Sequence, residues 1–324
     1  MNQIKHNWTH EQAMEIYNTP LLELIFRAAS IHRQYHNPHK INMNTLISVR
    51  TGACSQDCKY CAQSSHYKTK VTPEHLSLEQ VITSARKAKE NGVKRVCLSS
   101  SGRDANNDDR FNEMALMIRE VKKLGLEVCC TMGMINREKA QQLAQLGVMA
   151  VNHNLDTSEK HYPNIVSTRT YKQRLETLAN LQEAGINYCS GGILGLGEDP
   201  QDRVEMLRTL ANQPTHPYNI PLNALIPIEG TPLYGSSRVE LFDMARTIAT
   251  ARIMVPTAVI AFAAGRTTYS DEGQALCFMA GANSVFLGEK LLTVNNAEIP
   301  KDYHLLNTLG LVPTVYDEPT TKQD

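Results

Sequence analysis

The chain has 324 residues, 42% apolar and 20% charged, enough for one large or two ordinary globular domains with a sizeable core. Lysine plus arginine equals aspartate plus glutamate at 33 each, and aromatics are 6%, so composition gives no strong field for nucleic acid or an anionic membrane. The opening MNQIKHNWTHEQ has neither an apolar export core nor an Arg/Ser-rich transit pattern, and no later stretch is long and apolar enough to span a bilayer, which sets the cytoplasm as the expectation.

In chain order, residues 1–40 read as a helical segment with the apolar series Leu21, Leu22, Leu24, Ile25 and Ala28. Short apolar runs then alternate with amphipathic ones. The strand-like runs are 45–52, 94–100, 126–132, 148–155, 186–194, 219–226, 257–264 and 283–289. Between them lie helical patterns such as 78–92, where Val81, Ile82, Ala85 and Ala88 make one apolar face and Gly92 a stop. The same grammar recurs at 111–125 and 171–185. A doubly wound open sheet is one solution. Eight evenly spaced units without G-x-G-x-x-G after the first strand favour a (βα)8 TIM-type barrel over 41–292, with a closing segment and polar tail at 293–324. Chemistry in such a barrel sits at the C-terminal ends of the strands.

Eight cysteines without an export signal suit metal binding or catalysis better than disulfides. Directly after the first strand, TGACSQDCKYC places Cys54, Cys58 and Cys61 in C-x3-C-x2-C. Three thiolates can hold three irons of a [4Fe–4S] cube and leave the fourth open. A structural zinc site would want a further pair of ligands, and a redox C-x-x-C of Cys58 and Cys61 leaves Cys54 unexplained. The motif, with Tyr60 before its last cysteine, resembles the radical S-adenosylmethionine (SAM) superfamily. That resemblance implies that SAM chelates the open iron, that Tyr60 contacts its adenine region, and that one electron yields methionine and a 5′-deoxyadenosyl radical. GGILGLGE fits the superfamily's adenine-side stretch through Gly191, Ile193, Gly195 and Glu198, although a glycine-rich strand-to-helix turn explains it equally.

Cys97, Cys129 and Cys189 fall on expected strands two, three and five, where inward side chains of a barrel can converge on a second cluster. Buried cysteines also pack as small hydrophobes, the reading given to Cys130, whose side chain alternates outward, and to Cys277. PLLELIFRAASIHRQYH, RTGACSQDCKYC, VNHNLDTS, STRTYKQRL, YCSGGILGLGE, ARIMVPT and CFMAGANSVFLGEKLLT together resemble the biotin synthase family over nearly the whole chain. That resemblance implies a [2Fe–2S] cluster on Cys97, Cys129 and Cys189, and sulfur insertion into dethiobiotin at C9 and C6. It also implies a flavodoxin- or ferredoxin-type electron donor, iron–sulfur assembly partners and a homodimer. A radical SAM enzyme with another substrate or acceptor, or a catalytically silent cluster-binding paralogue, is the alternative.

Asn152, Asn154 and Asp156 alternate along expected strand four and so share one face. The resemblance gives Asp156 and Asn154 the SAM ribose, Asn152 and Asn154 the dethiobiotin ureido ring, Arg174 the SAM carboxylate, and Asn223 the rest of the polar cage. An Asx turn is the competing reading of the first three. His153, between them, is expected to face away from the axis as a structural residue. One position departs from the family, which carries an arginine cluster ligand where this chain has Ala261. Arg266 lies an odd number of residues on and is expected to face the other way, so Asn44 and Asn219 are the candidate neighbours for an altered fourth ligand or nuclearity.

Overall fold

A computed structural model describes residues 4–288 and 290–314. Glu289, which ends the eighth expected strand, and residues 315–324 of the expected tail lie outside the described residues. Eight parallel staves form a closed barrel. They are Lys40–Thr51, Arg95–Ser100, Glu127–Thr131, Ala150–Asn152, a fifth in two pieces (Asn187–Cys189 and Gly192–Leu194), Asn219–Ala224, Val259–Phe262 and Ser284–Leu287. Each pairs with its neighbour, and the first pairs with the eighth through Asn42↔Ser284 and Asn44↔Phe286. The chain is therefore an α/β barrel of the TIM type, as the eight-unit spacing predicts.

Helices follow the strands because their first turns carry capping chemistry. Ser77 with Gln80 and Thr170 with Gln173 form reciprocal capping boxes for Leu78–Glu90 and Tyr171–Glu183. Each such cap is worth about 1 kcal/mol. Val81, Ala85 and Ala88 are buried on the barrel side, whereas Ile82 sits half-buried at the edge of that face.

Two local expectations are revised. The N-terminal segment is two helices, His10–Asn18 and Leu21–Tyr35, broken at Pro20. Leu24, Ile25 and Ala28 are buried, but Leu22 is 80% exposed beside Phe26 at 67%, so the apolar series is not one inward stripe. Expected strand four stops at Asn152. Beyond it Asp156 takes φ +70° and the Asn154 side chain accepts the Gly191 N–H at 3.1 Å, so the chain turns out of the strand to meet strand five. Strand five breaks at the same place. A Cβ on Gly191 would lie 2.0 Å from the Pro221 carbonyl oxygen, and one on Gly192 would lie 2.1 Å from the Met206 sulfur, so the crossing demands two glycines.

Most of the core lies between barrel and helices and includes Cys130 and Cys277, both 0% exposed. A second, small cluster of Cys97, Cys129, Ala150 and Cys189 lies inside the barrel. Among the described residues no helix is long and apolar enough to cross a membrane.

Candidate active site

The Cys54–Cys61 loop leaves strand one through left-handed turns at Gly52 and Ala53. Asp57 pins it: its carboxylate accepts the backbone N–H of Ser167 at 3.0 Å and of Thr168 at 3.1 Å, together with both hydroxyls. Burial opposes its charge, but those hydrogen bonds outweigh burial and hold the carboxyl well below the usual range. Within the loop the Cys61 N–H donates to the Cys58 carbonyl at 2.9 Å, and the Cys54 N–H to the Gln63 carbonyl at 2.9 Å. Burial pushes the Cys58 thiol up against the pull of Arg169, and pushes Cys61 up to about 12.

Inside the barrel, Cys97 and Cys129 are Cα partners on adjacent strands. Hydrogen bonding from Cys97 to Cys129 and from Cys129 to Cys189, with burial, raises the Cys97 and Cys129 thiols well above the ordinary value. Cys130, one residue on, is packed in the outer layer instead. Both triads open into one cavity of about 320 Å³, which Asn152, Asn154, Asp156, Tyr60, Arg174, Ile193 and Asn223 also line. Among the described residues no three His, Cys, Asp or Glu side chains close on a single ion position. Three thiols on one loop and three on neighbouring strands are the donor type that iron–sulfur clusters take.

The charged wall of this cavity is built around Asp156. Arg174 donates to its carboxylate and Arg169 stands 4.0 Å from it. Both arginines also donate through Nε to the Tyr162 hydroxyl, at 3.1 Å and 3.0 Å, and Arg169 reaches the Cys58 sulfur at 3.4 Å. Arg169 therefore couples the outer triad to the carboxylate. The sequence reading missed it, since a loop arginine ahead of a helix carries no periodic signal. Arg95, also missed, faces the inner triad from strand two and is held by Glu127 at 2.6 Å and the Tyr218 hydroxyl at 3.2 Å. It lies one turn of the pleat below Cys97, which only the strand phase could have revealed.

Other site candidates have local work. Asn223 donates to the Gly192 carbonyl at 3.0 Å and accepts the Ala264 N–H at 3.0 Å, tying three strand ends together while it faces the cavity. Gly191, Gly195 and Glu198 do not line the cavity. The Glu198 side chain is buried, receives the Gly195 N–H at 3.0 Å and pairs with Arg203 at 2.9 Å, so it shapes the turn beyond Ile193. His153, expected to face away from the axis, instead stands buried at the cavity wall, hydrogen-bonded by the Gly133 backbone. Burial first, then the Arg174 and Arg169 charges, keep it neutral. Arg266 turns to the helix side, where Gln274 and Asp302 receive it at 2.7 Å each. Ala261 is fully buried and pairs with Pro221 and Ser284 in register.

Residues 48–210 match the family model of the Radical SAM superfamily, and residues 221–312 match that of the Biotin and Thiamin Synthesis associated domain. The biotin synthase of Legionella pneumophila (strain Lens) is 49% identical over 97% of this chain and 100% of its own. That of Cytophaga hutchinsonii is 47% identical over 97% and 93%, and the mitochondrial biotin synthase of Arabidopsis thaliana 47% over 95% and 82%. Among solved structures, a methylornithine synthase superimposes with TM-score 0.78 at 20% identity over 94% of each chain. The FeFe-hydrogenase maturase of Carboxydothermus hydrogenoformans gives 0.82 at 15% identity over 95% of this chain and 76% of its own, a likeness of fold.

Proposed function

The chain belongs to the biotin synthase family of radical SAM enzymes, and from that premise we propose that its barrel cavity is where sulfur enters dethiobiotin at C9 and C6. The enzyme uses SAM, a [4Fe–4S] cluster and a [2Fe–2S] cluster. When bound, these supply a carbon-centred radical that abstracts hydrogen, and the sulfide that replaces it. The observation that carries the reading is the single cavity onto which both cysteine triads open.

In this reading Cys54, Cys58 and Cys61 hold the four-iron cluster, and their loop keeps its shape through Asp57. Arg174, already ion-paired to Asp156, receives the SAM carboxylate, while Asp156 and Asn154 accept from the ribose hydroxyls. Tyr60 and Ile193 wall the adenine side. Gly191, Gly195 and Glu198 act at one remove, by fixing the backbone that carries Ile193. Cys97, Cys129 and Cys189 hold the sulfur-donating cluster deeper in. Asn152, Asn154 and Asn223 meet the ureido ring between the two, and the buried walls exclude the water that would quench a radical.

An electron donor of flavodoxin or ferredoxin type and iron–sulfur assembly proteins serve the enzyme in the cytoplasm. A homodimer is supported by the exposed Leu22 and Phe26 on one helix and by Phe242 and Met279 on the helices that pack beside it. Within the described residues, those up to 39 make the helical extension, 40–287 the barrel and 290–314 the closing segment. The test is anaerobic reconstitution followed by assay of SAM cleavage and biotin yield. Cys54→Ala abolishes cleavage, Cys97→Ala retains cleavage but makes no biotin, and Cys130→Ala keeps both. Biotin from Cys97→Ala overturns the assignment of the inner triad.

A further inference from the structure

A two-iron cluster has two terminal ligand positions on each iron, so three thiolates leave one position to fill. The inner donors of this barrel are arranged as pairs. Cys97 and Cys129 are Cα partners across strands two and three. Cys189 has its own Cα partner across strands five and six, Asn219. Residues paired in register on parallel strands project to the same side, and both line the cavity. Ala150, the Cα partner of Cys129 on strand four, packs with all three thiols.

Asn219 is 6% exposed, and its side-chain oxygen has no hydrogen-bond partner. A buried amide oxygen left unpaired costs about 1–3 kcal/mol, and such groups are rare in native proteins. Its neighbours explain why the protein itself cannot satisfy it: Cys189 precedes it across the sheet, and Val259 follows it on strand seven. Ala261, one step further up strand seven, offers no donor atom, and Asn44 directs its amide to Ser284 at 3.0 Å. Arg266 is spent on Asp302.

We propose that the side-chain oxygen of Asn219 is the fourth protein ligand of the inner cluster, sharing one iron with Cys189 while Cys97 and Cys129 share the other. This rests on the reading of the inner triad as a cluster site. A neutral oxygen is a harder, weaker donor to iron than thiolate, so the two irons become inequivalent and the Asn219 iron is the one more easily released. Asn152, which flanks Cys189 on strand four and whose side-chain oxygen is also unpartnered, is the rival donor.

The test is Mössbauer spectroscopy and iron counting on full-length chain reconstituted with iron-57, for wild type, Asn219→Ala, Asn219→Cys, Asn152→Ala and Cys97→Ala. Wild type is expected to carry about six irons per chain, with two distinct doublets from the inner pair. Asn219→Cys should merge those doublets into one, and Asn219→Ala should lose at least half of the inner iron or shift one doublet alone. Asn152→Ala should leave both where they were. If Cys97→Ala strips the inner iron but both Asn219 variants keep the wild-type spectrum, or if the shift follows Asn152→Ala instead, the assignment of Asn219 is overturned. If Cys97→Ala leaves iron content unchanged, the inner cluster site itself is overturned, and Asn219 with it.

Discussion

Replacing Asp156 with asparagine preserves the shape of the side chain and deletes its charge, leaving Arg174 and Arg169 facing one another's field. The side chains of Arg174 and Asp156 are 6% and 3% exposed, so solvent cannot take over the screening. Removing one member of such a buried pair costs about 3–5 kcal/mol. At roughly 2–4 °C per kcal/mol for a chain somewhat shorter than this one, that loss corresponds to about 6–20 °C, and the greater length here puts the fall in melting temperature in the lower part of that range. Calorimetry on cluster-free protein, under reductant, isolates this from any effect on cofactor binding. The pair can be separated from the site as a whole by Asp156→Asn combined with Arg174→Met, since the double variant no longer buries the Arg174 charge unpaired. It should lose less than the sum of the two single losses, by at least about 1 kcal/mol. A single Asp156→Asn variant that melts within about 2 °C of wild type, or strictly additive losses, would refute the account of this wall.

Gly191→Ala should prevent strands four, five and six from meeting, because its Cβ would overlap the Pro221 carbonyl, which is backbone and cannot move aside; circular dichroism and soluble yield will register this, and a native-like melt would contradict it. Burial, and secondarily the Arg252 charge, lower His32 to about 3 and His36 to about 4 from 6.5. The unfolded chain therefore takes up protons below about pH 6.5 that the folded chain refuses. Stability is unaffected above that pH and falls below it, by up to tenfold in the unfolding constant per pH unit for each histidine, down to about pH 4. Denaturant titrations between pH 7 and 4.5 should show that His36→Gln flattens this slope; an unchanged slope removes His36 from the explanation. Arg266→Met strands the Asp302 carboxylate in the core and should destabilise by about 3 kcal/mol, whereas Arg266→Met with Asp302→Leu should recover most of it, both read from thermal melts.

The barrel was legible because apolar runs recur at even spacing and many of its helices begin with a capping residue, as Ser77 and Thr170 do. Strand four was overextended because periodicity cannot register the φ of +70° at Asp156 or the capture of the Gly191 amide by Asn154. Leu22 misled for a related reason: apolar spacing marks a face, not what covers it. In the cavity the cysteines were legible from their spacing and context. Arg169 and Arg95 were not, since a single arginine looks like surface until a strand or loop turns it inward. The double use of Asn223, which braces three strands while facing the cavity, is tertiary information that no local pattern encodes.

Closure of the barrel has a consequence for how the chain is made. The first strand is synthesised early, yet its second edge stays open until Ser284–Leu287 emerges and pairs with it. During that interval the nascent sheet carries two unsatisfied edges, the condition under which chains join one another rather than themselves. The junction between the two matched family regions, near residues 210–221, falls between strands five and six of this one ring. Cutting there yields two open sheets, so these evolutionary modules are not independent folding units. Fragments expressed separately should aggregate, and co-expression should recover soluble barrel only insofar as the halves find each other before finding copies of themselves.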